Sequence, residues 1–493
     1  MPHGLHSMQL QEILYKIPLE TVSGKTDADI NALVFDSRKV ADGSLFIAIA
    51  GTQVDGHDFI EKAISQGAKA ILCEKLPTVL QPQVTYIKVA NAARAMGIAA
   101  ANFYQNPSET LKVIGVTGTN GKTSTVSMLF ELFRKLGHRC GLLSTVQNQI
   151  EDEVFVSTHT TPDSVSIQAM LAQMLKAGVT HCFMEVSSHA VVQERIAGIQ
   201  FTGGIFTNIT HDHLDFHKTF DEYIKAKKGF FDALPAWAFA LVNIDDKRGY
   251  VMLQNTAALK ESFALQHPNA SFKGKVIANT LLGLQMDIEN QDVWFKLIGN
   301  FNAYNLLGVY GAAMLMGEDS QEVLTQLSAI SPPPGRFEQV IVKNKVVGIV
   351  DYAHTPDALK NVLETIEKLK EGNQKVITVV GCGGNRDATK RPIMAEIACK
   401  MSDVVILTSD NPRNEDPMAI LKEMQAGVPP LHFKKTKTIE DRHEAIATAV
   451  RLASPTDIIL IAGKGHETYQ DIKGVKTHFD DREELRKAFE TMV

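Results

Sequence analysis

The sequence predicts an α/β protein of several domains built on mostly parallel sheets. Two observations predict this. Apolar, β-branched runs alternate with helical patterns, which reads as right-handed βαβ units. The chain of 493 residues is also too long for one hydrophobic core, so two to four domains are expected.

Along the chain, the segment to about residue 109 mixes short apolar runs (LFIAIAG, AKAILCE, VTYIKVA) with a helical stretch at 92–104, as a small α/β domain would. The polar stretch QNPSET at 105–110 breaks that pattern. From 110 to 332, buried strands are expected at 113–116, 180–185, 203–207 and 239–243. SPPPGRFE at 331–338 is the clearest linker, because three successive prolines stiffen the chain and end any helix. A third α/β segment follows, with strands near 346–350, 376–380, 403–407 and 457–461.

Composition excludes several function classes. A 44% hydrophobic and 22% charged content fits a globular protein, and a net charge of −6 gives no support for nucleic-acid or membrane binding. No run of about 18 apolar residues exists to span a bilayer. Cys73, Cys140, Cys182, Cys382 and Cys399 are scattered, with no C-x-x-C pair, so a reducing compartment is expected. The start MPHGLHSMQL has no basic segment leading into an apolar one, so no signal peptide is expected and the location is expected to be cytoplasmic.

The most informative stretch is LKVIGVTGTNGKTST at 111–125, in the strand–loop–helix order of a phosphate-binding loop. Glycines let backbone N–H groups close around phosphate oxygens, and the helix N-terminus adds its positive dipole end. Lys122 is placed to reach the β- and γ-phosphates, and the Thr123 hydroxyl to ligate Mg²⁺. The strict pattern requires Gly at position 116, where this chain has Val116.

Other motifs cluster at predicted strand ends, where α/β sheets bind ligands. Glu185 ends HCFME and is placed to hold Mg²⁺. TNITHDHLDFH at 207–217 packs His211, Asp212, His213, Asp215 and His217 together, a density that suits metal or phosphate chemistry. Zinc lacks Cys support there, so Mg²⁺ is favoured. Lys225, Lys227 and Lys228 lie on a helical pattern, and spacing alone predicts a solvated basic face for all three. Asp351, Tyr352 and His354 form a second nucleotide-contacting edge, with rings to pack the base and a carboxylate for the ribose. Arg386 and Arg413 can clamp a carboxylate, and Glu467 can pair with an ammonium, so a pocket holding all three suits a zwitterionic amino acid.

Taken together, these residues resemble the Mur ligase family over essentially the whole chain. The resemblance rests on Thr117 to Thr123, Met184 to His189, Asp212 to Asp215, Tyr223 to Lys227, Gly299 to Asn305, Gly335 to Glu338, Asp351 to Asp357 and Gly463 to Glu467, all in family order. The family's own loop lacks the first Gly, in keeping with Val116. Asp36 to Arg38, Gly51 to Gly56 and the D-N-P-R segment Asp410 to Arg413 are similar to those of the members that add the third amino acid as meso-2,6-diaminopimelate. Three residues differ from the usual ones: Asn385 for Asp, His159 for Asn and Ala190 for Gly.

The resemblance implies three domains: a UDP-binding domain (1–109), a central ATP-binding domain (110–332) and a Rossmann-like domain that brings the amino acid (333–493). It implies ATP contacts at Gly118, Thr119, Asn120, Gly121, Lys122, Thr123, Ser124, Asn302, Arg336, Asp351, Tyr352 and His354. UDP-muramoyl-peptide contacts fall on Ser37, Thr52, Gln53, Val54, Thr160, Thr161, Ser187, Gln193 and Arg195. Diaminopimelate contacts fall on Arg386, Asp410, Asn411, Pro412, Arg413, Gly463 and Glu467. Two Mg²⁺ ions are implied, held by Thr123, Glu185, His213 and Lys227, with Lys227 modified by CO₂ to a carbamate. The implied catalytic set is Lys122, Lys227, His213 and Glu185.

The implied reaction is ATP-driven amide formation through an acyl phosphate. Its substrates are UDP-N-acetylmuramoyl-L-alanyl-D-glutamate, meso-2,6-diaminopimelate and ATP, with no nucleic acid, no membrane insertion and a monomeric enzyme. A lysine-adding relative is disfavoured by Arg413. A folylpolyglutamate synthetase is disfavoured by the UDP-type first domain and the D-N-P-R segment. A GTPase switch would need N-K-x-D, and an ABC-type ATPase L-S-G-G-Q, and neither sequence is present.

Overall fold

The computed structural model describes residues 7–51, 54–155, 161–210, 219–281, 283–341 and 346–490. Three main sheets organise the chain. The first has five strands in the order Leu19–Ser23, Thr85–Val89, Ala70–Cys73, Ser44–Ile47, Ala32–Val34. All its pairs are parallel except the first.

The central sheet has eleven strands. Its strand Lys112–Thr117 lies between His181–Glu185 and Phe201–Phe206, parallel to both. Phe239–Asn243 and Leu259–Ala264 continue the parallel run. The mostly parallel expectation holds, with every pairing from Cys140–Leu143 across to Phe272–Thr280 parallel. Both ends turn antiparallel, through Asn148–Ile150 and Glu153–Phe155 on one side and Phe272–Thr280, Gly283–Ile288 and Gln291–Phe295 on the other. Phe272–Thr280 and Gln291–Phe295 alternate half-buried and exposed residues along most of their length, as one-sided antiparallel ribbons do.

Lys112–Thr117, His181–Glu185, Phe201–Phe206 and Phe239–Asn243 are buried along nearly their whole length because helices cover both faces. Phe130 and Phe133 of helix Lys122–Lys135 and Leu306 of helix Asn300–Leu315 pack on one face. Leu171 of helix Ser164–Lys176 and Phe230 and Phe231 of helix Phe220–Asp232 pack on the other.

The third sheet has six strands in the order Glu338–Ile341, Val347–Asp351, Ile458–Ala462, Val376–Cys382, Val404–Ser409, Thr436–Thr438. Its pairs are parallel apart from the first. Each strand expected at 113–116, 180–185, 203–207, 239–243, 346–350, 376–380, 403–407 and 457–461 is present within a residue or two of those limits. Among the described residues, no helix is long and apolar enough to cross a membrane.

Candidate functional site

Val116 is still inside the central strand, paired with Glu185 on one side and Ile205 on the other. A glycine there would serve no turn, which explains the departure from the strict loop pattern. The turn begins at Gly118, whose φ is +152° and where a Cβ would lie 1.9 Å from Thr207 Oγ1. Gly121, at φ +88°, has Asn305 Oδ1 2.5 Å from its would-be Cβ. Only glycine fits either place.

The loop is held from outside. Thr119 N donates to Asn208 O (2.8 Å), and Asn120 N to Asn208 Oδ1 (3.0 Å). Thr207 Oγ1 donates to Asn120 O (2.6 Å). Helix Lys122–Lys135 starts at Gly121 without a side-chain cap, so its positive end faces the loop. Ser124 is buried in its first turn. Lys122 Nζ folds back onto Gly118 O (2.9 Å) and Thr119 O (2.8 Å).

The strand register carries Glu185 to this loop. Its buried carboxylate accepts from Thr123 Oγ1 (2.9 Å), Thr145 N (2.8 Å) and Thr145 Oγ1 (3.1 Å). Beside it, Thr161 Oγ1 donates to Glu185 O (2.9 Å), and Arg195 Nη1 donates to Thr161 O (2.7 Å). Ser187 lies 3.4 Å from Thr161 Oγ1 and caps helix Ser188–Val192, while Gln193 closes that helix. Thr161, Ser187, Gln193 and Arg195 therefore gather at the Glu185 strand end. Thr160 and His159 lie outside the described residues.

The solvated basic face is corrected for one lysine. Lys225 is exposed and Lys228 pairs with Asp232, but Lys227 is 1% exposed. Its Nζ donates to Gly118 O (2.9 Å) and sits 4.6 Å over the Tyr223 ring. Helix Phe220–Asp232 turns Tyr223, Lys227, Phe230 and Phe231 toward the sheet, and periodicity alone did not separate Lys227 from its neighbours. His213 and the rest of 211–218 lie outside the described residues. Among the described residues, no three or more His, Cys, Asp or Glu side chains form a metal-holding group.

The linker reaches the same place. Arg336 Nη2 donates to Thr123 Oγ1 (3.1 Å), and its guanidinium lies 4.7 Å from the Tyr352 ring centre. Tyr352 stacks obliquely on His354 (4.5 Å) and His466 (4.9 Å). Asp351 is buried, and its Oδ2 accepts from Phe337 N (2.6 Å). Burial pushes its carboxyl up to about 6 against the pull of Arg336. Asn302 is buried beneath the loop, donating to Ile298 O (2.9 Å) and accepting from Asn305 Nδ2 (3.2 Å).

A second cluster forms at the strand ends of the third sheet. Arg413, at φ +52°, donates from Nη1 to Gly384 O (2.7 Å). Arg386 is exposed on the same loop edge, and Pro412 is buried. Asn385 takes φ +53° and its Oδ1 accepts from Asn414 N (3.0 Å), a backbone and a bond that suit Asn. At Gly463 a Cβ would lie 2.7 Å from Asp410 Oδ2. Asn411 Nδ2 donates to Glu467 Oε2 (2.7 Å).

Comparison with known proteins decides what this arrangement belongs to. The model of the Mur ligase family, catalytic domain, matches residues 29–104, the Mur ligase middle domain 116–313, and the Mur ligase, glutamate ligase domain 335–465. The chain is 61% identical over 486 residues to a UDP-N-acetylmuramoyl-L-alanyl-D-glutamate–2,6-diaminopimelate ligase of Cytophaga hutchinsonii, covering 98% of this chain and 100% of that one.

The chain belongs to the Mur ligase family.

A solved UDP-N-acetylmuramoyl-L-alanyl-D-glutamate–2,6-diaminopimelate ligase matches this Mur ligase with a TM-score of 0.70 at 33% identity, over 98% of this chain and 99% of that one. A MurF ligase from Thermotoga maritima, solved in complex with ADP, shares the fold with a TM-score of 0.60 at 18% identity, over 93% and 97% of the two chains. Within this Mur ligase, Ser37 is buried at the start of a short 3-10 helix that follows strand Ala32–Val34, and Val54 is exposed in the loop after strand Ser44–Ile47, while Thr52 and Gln53 lie outside the described residues.

Sequence reading missed three residues of this Mur ligase that the geometry singles out. Thr145 supplies two of the bonds to Glu185. Arg442, buried with Asp481, bonds Ser409 O (3.2 Å) and Ala462 O (3.1 Å), just before Asp410 and Gly463. Lys464 lies inside the Asp410–Glu467 cluster. Arg442 stands in a charged stretch, Glu440 to Glu444, that reads as a solvated helix start, and only GKGHE hinted at Lys464.

Proposed function

We infer that this Mur ligase joins meso-2,6-diaminopimelate to the D-glutamyl γ-carboxylate of UDP-N-acetylmuramoyl-L-alanyl-D-glutamate, using ATP, in peptidoglycan precursor synthesis. The observation that carries the reading is full-length identity of 61% to the Cytophaga hutchinsonii ligase, on a chain whose Thr123, Glu185, Arg336 and Lys227 meet at one phosphate loop.

A carboxylate is a poor electrophile at neutral pH. The γ-carboxylate therefore attacks the γ-phosphate of ATP, giving an acyl phosphate and ADP. The diaminopimelate amine then attacks the acyl carbon, and phosphate leaves. Phosphoryl transfer depends on positioning and charge neutralisation. Lys122 and the helix dipole meet the phosphates, and Arg336 brings the linker against Thr123, excluding water from the acyl phosphate.

The hard oxygen donors Thr123 and Glu185 fit Mg²⁺, with His213 completing the set. Mg²⁺ there neutralises phosphate charge. Lys227 is read as the residue that CO₂ converts to a carbamate, changing a cation into an anionic ligand. Thr161, Ser187, Gln193 and Arg195 are read as holding the peptide end of the substrate, and Ser37 with Thr52 to Val54 the UDP end. Arg386, Asp410 to Arg413, Gly463 and Glu467 are read as the amino-acid pocket. The domain limits 1–109, 110–332 and 333–493 are proposed on the same basis, and the reaction is placed in the cytoplasm.

The test is ADP release with UDP-N-acetylmuramoyl-dipeptide, ATP, Mg²⁺ and a panel of diamino acids. Turnover with meso-2,6-diaminopimelate well above L-lysine is expected. Equal turnover with L-lysine, or none with either, overturns the assignment.

A further inference from the structure

Lys464 has 0% exposure, rare for a lysine. It stands between two glycines in left-handed conformations, Gly463 at φ +120° and Gly465 at φ +52°. That backbone turns its side chain into the cluster at the ends of strands Val404–Ser409 and Ile458–Ala462. Its ammonium donates to Asn411 Oδ1 (3.1 Å) and Glu467 Oε2 (3.3 Å), lies 3.9 Å from Asp410 Oδ1, and sits 5.5 Å over the Tyr469 ring.

Asn411 is oriented by this contact. Its Oδ1 accepts from Lys464 Nζ and from Asp471 N (3.0 Å), so its Nδ2 must face Glu467 and donate to it at 2.7 Å. The ammonium thus holds Glu467 twice, directly and through Asn411.

We propose that Lys464 is a positioning residue for the incoming amino acid: its ammonium keeps the Glu467 carboxylate ionised and aimed, ready to receive the substrate's ammonium. The proposal rests on the amino-acid pocket reading above.

The physical reason is charge balance. Asp410 and Glu467 face each other in a buried site, where two carboxylates without a cation cannot both stay ionised. Burial and Asp410 raise the Glu467 pKa, and Lys464 and Asn411 oppose them. The other charged or titratable groups that reach the cluster among the described residues include Arg442 with its partner Asp481, Arg386, Arg336, Cys382, Tyr352 and His466. His466 is pushed down to about 3 by burial and nearby cations, and so adds no charge. Loss of the Lys464 ammonium removes the cation that opposes this rise, so Glu467 holds its proton more readily and attracts an amine less.

The test compares Lys464→Met and Lys464→Gln with the wild-type full-length enzyme, using initial rates with UDP-N-acetylmuramoyl-dipeptide, ATP and meso-2,6-diaminopimelate from pH 7 to 9. At pH 7 Lys464→Met should raise the KM for diaminopimelate roughly 10- to 100-fold, the scale of hydrogen bonds to charged groups. The KM ratio of variant to wild type should shrink toward pH 9 as Glu467 ionises again, with the KM for ATP unchanged. Lys464→Gln, which keeps a donor without the charge, should show the same trend at smaller amplitude and covers the case in which Lys464→Met does not fold. A KM ratio independent of pH, an equal rise in KM for ATP, or wild-type behaviour of Lys464→Gln overturns the proposal. Failure of the pocket reading itself is distinct, because it appears as an unchanged KM for diaminopimelate when Glu467→Gln removes the carboxylate that the reading sets against the substrate.

Discussion

The Thr123 hydroxyl donates a 2.9 Å hydrogen bond to Glu185 Oε1, across 62 residues of chain. One residue opens the loop helix and the other ends the neighbouring parallel strand. The pairing of Glu185 with Val116 in the sheet brings them together. Two oxygens that suit a hard divalent cation thus meet where the phosphates of ATP are read to lie.

Glu185→Gln preserves shape and keeps an acceptor for Thr145 N while removing the charge. The rate of ADP release should fall roughly 100- to 1000-fold, the scale for losing one preorganised electrostatic contact. The melting temperature should move little. Retention of a tenth or more of wild-type activity at saturating Mg²⁺ would remove Glu185 from the metal site.

Lys227 reaches Gly118 O from a helix face that packs on the sheet. Lys227→Ala should be nearly inactive, and short carboxylic acids added to the assay should restore part of the rate by replacing the lost carbamate. Inactivity without any rescue, in a variant that still binds ATP, would point to the ammonium itself and against the modified form.

His181 is buried against Phe133 (5.1 Å between rings) and His138 (4.5 Å), and burial with those neighbours pushes its pKa down to about 3. An unfolded histidine binds its proton near 6.5. The unfolded chain therefore binds more protons between those values, and stability falls as pH drops below about 6.5. His181→Phe removes the titrating group and keeps a ring. Its melting temperature should drop less than that of the wild type between pH 7 and pH 5.5. Equal drops would show that His181 is not responsible.

Local order carried much of this architecture in plain sight. A strand, a Gly-rich turn and Gly-Lys-Thr at 113–123 are contiguous, so their chemistry is set by neighbours in the chain. The polar motifs after Met184, Phe206, Leu407 and Ile461 were legible for the same reason, since a parallel strand delivers its next residues to one edge of the sheet. The antiparallel outer strands at 272–295 were not read, because their half-buried alternation is weak beside the apolar runs.

By itself, then, the amino-acid order determined the α/β class, the phosphate loop and the strand ends where ligands gather, because each depends on a few adjacent residues. Tertiary packing alone decided the rest. Lys225 and Lys227 are two residues apart on one helix, yet only Lys227 faces the sheet and Gly118. Asp351 was spent on Phe337 N, and Lys464 turned out to be the partner of Glu467. Burial, and the counter-charge a buried group meets, depend on segments far apart in the chain, and no local pattern encodes them.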